Sequence, residues 1–72
     1  MAPLREGLRP ALVAALEKRR RDDTVEMAVG REMRRMGLGY QDYLEAMEAV
    51  RETARRRGLP PWKAVEAVTE GR

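Results

Sequence analysis

Apolar residues recur every three or four positions along most of this chain, which is the spacing of one face of an α-helix. The first such segment follows Pro10, a residue favoured at the first position of a helix, and it ends in the polar run RRR. The second segment ends at Gly37, the third at Gly58, and the last begins after two prolines. This pattern predicts four helices, over residues 10–21, 24–36, 40–57 and 61–70.

The junction RRRDDTVE is compatible with two arrangements. Asp23 and Glu26 are spaced as in a capping box, which predicts a new helix after a break. Arg19 and Asp23 are four residues apart, so an ion pair between them would also suit one continuous helix. We expect the break, because basic residues at the end of one helix and acidic residues at the start of the next match both helix dipoles.

The segments RMGLGYQDYLEAM and RRGLPPWKAVEAV resemble each other, but two copies are too few for a repeat architecture. Helix termination explains the resemblance. Glycine adopts the left-handed conformation that ends a helix, and the leucine after it, Leu38 or Leu59, packs back on the helix just ended.

The pattern predicts an all-α protein with a single helical domain over residues 1–72, a small bundle of three to four short helices. A chain this short hides only about 60% of its surface on folding. It has no cysteine for a disulfide and no histidine to hold a metal, so we expect self-association to complete the bundle. The predicted core comprises Leu8, Leu12, Leu16, Val25, Val29, Met33, Met36, Tyr43, Leu44, Met47, Val50, Trp62 and Val65.

The composition narrows the classes of function. Charged residues make up 38% of the chain, arginine greatly outnumbers lysine, and the formal net charge is +3. No apolar run approaches the roughly 20 residues of a membrane span, and the first residues do not resemble a secretory signal. We therefore expect a cytoplasmic protein without a membrane partner.

Catalytic chemistry has little support in the sequence. Histidine, cysteine and serine, the usual acid–base and nucleophilic residues, are all absent. Asp22, Asp23 and Glu26 offer oxygen ligands to a hard cation, but the order of an EF-hand loop is missing, and helix capping explains them better. We expect no enzyme activity, no cofactor and no metal.

The stretch RRRGLPPW is compatible with two interpretations. Its arginines can be helix-end cations that interact with the unpaired carbonyls of the third helix, one of them pairing with Glu52. Alternatively, they form a site for nucleic acid or a protein partner next to the only tryptophan. The residues of that candidate site are Arg55, Arg56, Arg57, Trp62 and Lys63.

The function we expect is a small non-enzymatic protein-interaction module, an adaptor or regulator that self-associates or binds another protein. The alternative is a small DNA-binding regulator with a helix-turn-helix-like arrangement around Arg55–Trp62. A second such match, at Gly37, is disfavoured because its following helix begins with acidic residues that would repel phosphates. The predicted interface comprises Leu8, Leu12, Val29, Met33 and Met36.

Overall fold

The computed structural model describes residues 4–70 and confirms the all-α bundle. None of the helices in that range has the length and apolar character that crossing a bilayer requires. A short 3₁₀ turn, Glu6–Leu8, leads directly into the first helix. The helices are α1 (Arg9–Lys18), α2 (Val25–Arg35), α3 (Tyr40–Arg57) and α4 (Pro61–Glu70).

Helix α4 packs against all three other helices, most extensively against α3 and α1. Helix α1 packs most extensively against α2. Helices α2 and α3 contact each other much less. The radius of gyration of 10.9 Å is close to the roughly 11 Å expected for a compact domain of this length.

The predicted break between the first two helices is confirmed, but its details differ from the prediction. Helix α1 ends at Lys18, earlier than predicted, because Arg19 has extended backbone angles (φ −62°, ψ 142°). The N-cap of α2 is Thr24, whose hydroxyl accepts the N–H of Met27 at 3.2 Å, so the predicted capping by Asp23 is wrong. The Asp23 carboxylate accepts hydrogen bonds from Arg31 instead.

Both Gly-Leu helix ends are confirmed. Gly37 and Gly58 have left-handed backbone angles, with φ of 76° and 65°. The N–H of Leu38 donates to the carbonyl of Met33 at 2.9 Å, and that of Leu59 donates to the carbonyl of Ala54 at 3.0 Å. This six-to-one hydrogen bond defines the Schellman motif, and both leucines pack against the core.

Alanine occupies a large part of the core. The largest fully buried side chains are leucine, methionine and valine, and six alanines are buried beside them. The prediction that Met36 and Leu44 are core residues is wrong, because both are exposed. Leu16, Tyr43 and Trp62 are half-buried at the edge of the core. The buried alanines are Ala11, Ala14, Ala15, Ala28, Ala46 and Ala64.

Polar contacts attach the segment before α1 to the first two turns of α3. The guanidinium of Arg5 donates to the carboxylate of Glu45 at 2.8 Å and to that of Asp42. The Asp42 carboxylate also accepts the N–H of Gly39, where α3 begins. Arg5, followed by the Gly39 N–H, holds the pKa of Asp42 below its usual value. The carboxylate is therefore ionised near neutral pH.

Replacing Gly58 with alanine tests the left-handed helix end. A Cβ at Gly58 would meet no other atom within 4 Å, so the penalty comes only from the backbone angle. We expect Gly58→Ala to lower the free energy of unfolding by about 1 kcal/mol, measured by urea denaturation. Gly7→Ala is the control, because Gly7 has equal space and no left-handed φ. Equal effects of the two substitutions would contradict the assignment.

Candidate interaction groove and basic cleft

A groove of about 320 Å³ lies between α2 and α3. That volume is near the lower end of the range for small-ligand pockets. The lining combines apolar side chains with one acid and one base. The lining residues are Glu26, Gly30, Met33, Arg34, Leu38, Gly39, Tyr40 and Tyr43.

Gly30 lies in the middle of α2 and lines this groove. A Cβ built there would lie 3.6 Å from Nη1 of Arg34 and 3.7 Å from Cε1 of Tyr43, which are ordinary van der Waals distances. The packing within the chain therefore does not require glycine. Glycine inside a helix lowers stability by roughly 0.5–1 kcal/mol relative to alanine, and here its effect is to deepen the groove.

Two tyrosines stack along the α3 side of the groove. The ring centroids of Tyr40 and Tyr43 are 6.0 Å apart, with an interplanar angle of 19°. Tyr43 is half-buried against the core, whereas Tyr40 is 70% exposed. The other exposed large apolar residues among residues 4–70 also belong to α2, α3 or the turn between them. They are Met27, Met36 and Leu44.

Charges of opposite sign flank Gly30 on the same face of α2. Glu26 lies four residues before Gly30 and Arg34 lies four residues after it. Glu26 approaches Arg51 of α3 at 4.0 Å, and both of these side chains are about half exposed. Such an exposed pair at this distance is weak, so the Glu26 carboxylate remains accessible to another partner.

Most of the interface predicted from the sequence is inside the chain's own core. Leu8, Leu12, Val29 and Met33 are each at most 1% exposed. They pack in the core of the same chain and present almost no surface to a partner, although Met33 also lines the groove. Met36 is exposed, at the end of α2.

The residues of the candidate site around RRRGLPPW do not form one site, because they contact different partners. Arg55 pairs with Glu52 at 2.6 Å, as the helix-end interpretation predicts, and Lys63 approaches Glu66 at 3.6 Å. Arg56 and Arg57 are exposed at the end of α3. Trp62 lies beneath a different arginine, Arg19, whose guanidinium carbon is 4.6 Å from the ring centroid.

This contact belongs to a second concave surface, a basic cleft of about 410 Å³. Three consecutive arginines line it where α1 ends, opposite the first turn of α4. The three are exposed, and Trp62 forms the apolar part of the lining. The complete lining is Arg19, Arg20, Arg21, Asp23 and Trp62.

Asp23, the acid of the basic cleft, is already engaged by other groups. Its side chain is only 4% exposed. Its two carboxylate oxygens accept from the Arg31 guanidinium at 3.2 and 2.6 Å, and one also accepts the Arg20 N–H at 2.8 Å. Arg31, with a smaller contribution from the Arg20 N–H, lowers the pKa of Asp23 to about 2.

Glu32 is the other acid with a nearly buried side chain that is held by arginine. Its Oε1 accepts from Nε and Nη2 of Arg35 at 2.9 and 2.7 Å. The Arg35 guanidinium lowers the pKa of Glu32 below its usual value, even though burial opposes this shift. Asp23 and Glu32 are thus ionised near neutral pH and unsuited to act as proton donors. Within residues 4–70, no cluster of acidic side chains could hold a metal ion.

No family model, curated protein or solved structure matches this chain. The groove and the cleft are the two features of the described surface that could serve a function. The sequence signals for them were weak: a glycine inside a helical pattern for Gly30, and an arginine run at a helix end for Arg19. The predicted core contains Tyr43 and leaves out Tyr40, but nothing local in the sequence indicates that Tyr40 lies beside a groove.

Asp23→Asn tests the ion pair that holds the α1–α2 junction. The pKa of Asp23 is about 2 in the folded protein, against an ordinary value of 3.8 for an aspartate side chain. A carboxylate whose pKa is lowered by folding stabilises the protein at pH values above its pKa in the unfolded chain. This stabilisation is lost as the pH falls toward its pKa in the folded protein. We therefore expect Asp23→Asn to be less stable than the original protein at pH 7, with the difference shrinking between about pH 4 and pH 2.

Thermal unfolding across this pH range measures the effect. Asp22→Asn is the matched control, because Asp22 is the neighbouring, exposed acid and the charge change is the same. We expect little change in melting temperature for this control. Parallel pH profiles for the original protein and Asp23→Asn would contradict the ion-pair assignment.

Proposed function

We propose that this protein is a non-enzymatic protein-interaction module that self-associates through the groove between α2 and α3. The observation that carries the proposal is the pairing of an exposed aromatic side chain, Tyr40, with an adjacent groove lined by Gly30. Tyrosine is enriched at protein interfaces because it supplies a large contact area at a low entropic cost. Large exposed apolar side chains beside a groove are typical of an interaction site.

A second copy is the occupant that the groove suits. In a two-fold dimer, each surface patch meets the same patch of the other chain, so one chain must carry both the projecting group and its cavity. Tyr40 and the Gly30 groove meet that requirement. Tyr40 of the partner subunit would enter the groove beside Gly30, and the exchange would occur twice.

Charge complementarity also supports a second copy. Glu26 and Arg34 lie equally far from Gly30 along α2. If the two-fold axis passes near Gly30 and is perpendicular to α2, the two copies of α2 run antiparallel and Glu26 faces Arg34 of the partner subunit. The reciprocal pair forms on the other side, so two ion pairs of opposite direction would fix the alignment.

Two further features agree with the proposal, one with its non-enzymatic character and one with self-association. The acids whose pKa is shifted, Asp23, Glu32 and Asp42, all have lowered values and are held by arginine. A catalytic acid usually requires the opposite shift. In addition, a domain of this size lacking disulfides commonly obtains stability from a subunit interface.

The DNA-binding alternative around Arg55–Trp62 has less support. Its recognition helix would be α4, which packs against both α1 and α3. A recognition helix must present its first turns to the major groove. Here Trp62, in that first turn, is half-buried beneath Arg19.

Tyr40→Ala tests the aromatic contact. We expect the dimer dissociation constant to rise by at least roughly 30-fold, as for the loss of an interface hot spot. The isolated chain should remain folded, because Tyr40 is largely exposed. Light scattering over a dilution series measures the mass, and Gln41→Ala, at the exposed neighbouring position, is the control. A monomeric original protein, or an unchanged dissociation constant in Tyr40→Ala, would contradict the proposal.

Charge reversal tests the alignment of the two copies. Glu26→Arg and Arg34→Glu should each weaken self-association, because each places like charges opposite one another. The double variant should regain it. An equimolar mixture of the two single variants should form mixed dimers, detected by native mass spectrometry. Failure of both the double variant and the mixture to associate would contradict the antiparallel alignment.

A further inference from the structure

The basic cleft carries an excess of positive charge, with three arginines and one acid in its lining. In the described part of the chain, the acid that lines it, Asp23, is already bound by Arg31 and by the backbone of Arg20. None of the ion pairs within residues 4–70 involves Arg20 or Arg21. Their guanidinium groups are exposed, always charged and suited to bidentate contact with phosphate.

The cleft also contains a stacking surface. Trp62 packs against the core and has the Arg19 guanidinium over its ring. Arg19 is itself exposed, so it is accessible to a ligand. Unpaired bases stack on arginine planes and on aromatic rings, and both groups are present at one position here.

From this combination we infer that the basic cleft binds single-stranded nucleic acid, with Arg20 and Arg21 contacting phosphates and a base stacking on the Arg19–Trp62 pair. The volume of about 410 Å³ is of the size that encloses small ligands. A single strand fits better than a duplex, because its bases are free to leave the stack, whereas duplex recognition needs an element that enters a groove. Helix α4 is packed against α1 and α3, and Trp62 in its first turn is half-buried.

This site is separate from the proposed self-association surface. The cleft and the α2–α3 groove share no lining residue. Nucleic-acid binding can therefore fail while self-association succeeds, and the reverse also holds. The arginines involved are also different from Arg55, Arg56 and Arg57.

Trp62 makes the test specific to the cleft, because it is the only tryptophan in the protein. A labelled oligothymidine about 15 nucleotides long is titrated with the full chain at several salt concentrations, and fluorescence anisotropy reports binding. Unlabelled oligothymidine is titrated in parallel while Trp62 emission is recorded. We expect both signals to saturate over the same concentration range, with tryptophan emission quenched by the stacked base.

Two double variants with the same change in net charge distinguish binding in the cleft from non-specific electrostatic attraction to the whole protein. Arg20→Gln with Arg21→Gln removes two cleft arginines, and Arg56→Gln with Arg57→Gln removes two exposed arginines at the end of α3. Each phosphate contact of a single strand contributes about 0.7 to the slope of log affinity against log salt. We expect the cleft variant to reduce the magnitude of this slope by about 1.4 and the α3 variant to leave it unchanged. Circular dichroism confirms that both variants are folded.

Three outcomes would overturn the inference. The first is the absence of saturable binding near physiological salt. The second is an equal loss of affinity in the two double variants, which would show attraction to net charge alone. The third is equal or tighter binding of a duplex of the same length, which would show that unpaired bases are not required.

Discussion

The arrangement of the helices depends on alanine at their contacts. Alanine has the smallest side chain that still favours a helix, so backbones that meet at alanine can approach closely. Ala11 and Ala15 of α1, Ala28 of α2 and Ala64 of α4 are completely buried. All four belong to the one core cluster that α1, α2 and α4 share. Alanine at these core positions also limits the apolar surface that the core can bury, because each alanine contributes little area.

A core of this kind leaves larger apolar side chains outside. Tyr40 and Met27 remain mostly exposed, although helical periodicity alone allows either to be internal. They accompany a glycine that the chain's own packing does not need, and a pair of charges placed symmetrically about it. Each feature alone has an ordinary explanation. Together they describe a surface that a second copy would cover. Self-association would in this way add to the limited apolar area that the core buries.

Much of the fold was predictable because its determinants are local. Helix periodicity and the left-handed glycines Gly37 and Gly58 depend on a few adjacent residues, and they gave the helices to within a few positions. The surfaces were not predictable in the same way. The contact of Arg19 with Trp62 joins two segments that are far apart in the sequence. The prediction that Met36 is a core residue fails because periodicity cannot distinguish neighbouring stripes of one helix. Such features depend on how the helices pack.

The most direct test of the account is the melting temperature of the original protein as a function of its concentration. If the α2–α3 surface is completed by a second copy, folding and association are linked, and mass action raises the melting temperature as the protein is concentrated. Over a hundredfold range of concentration spanning the dissociation constant, we expect an increase of roughly 5 °C. A melting temperature that is constant over that range would contradict the account, because it would show that the single chain is the whole cooperative unit.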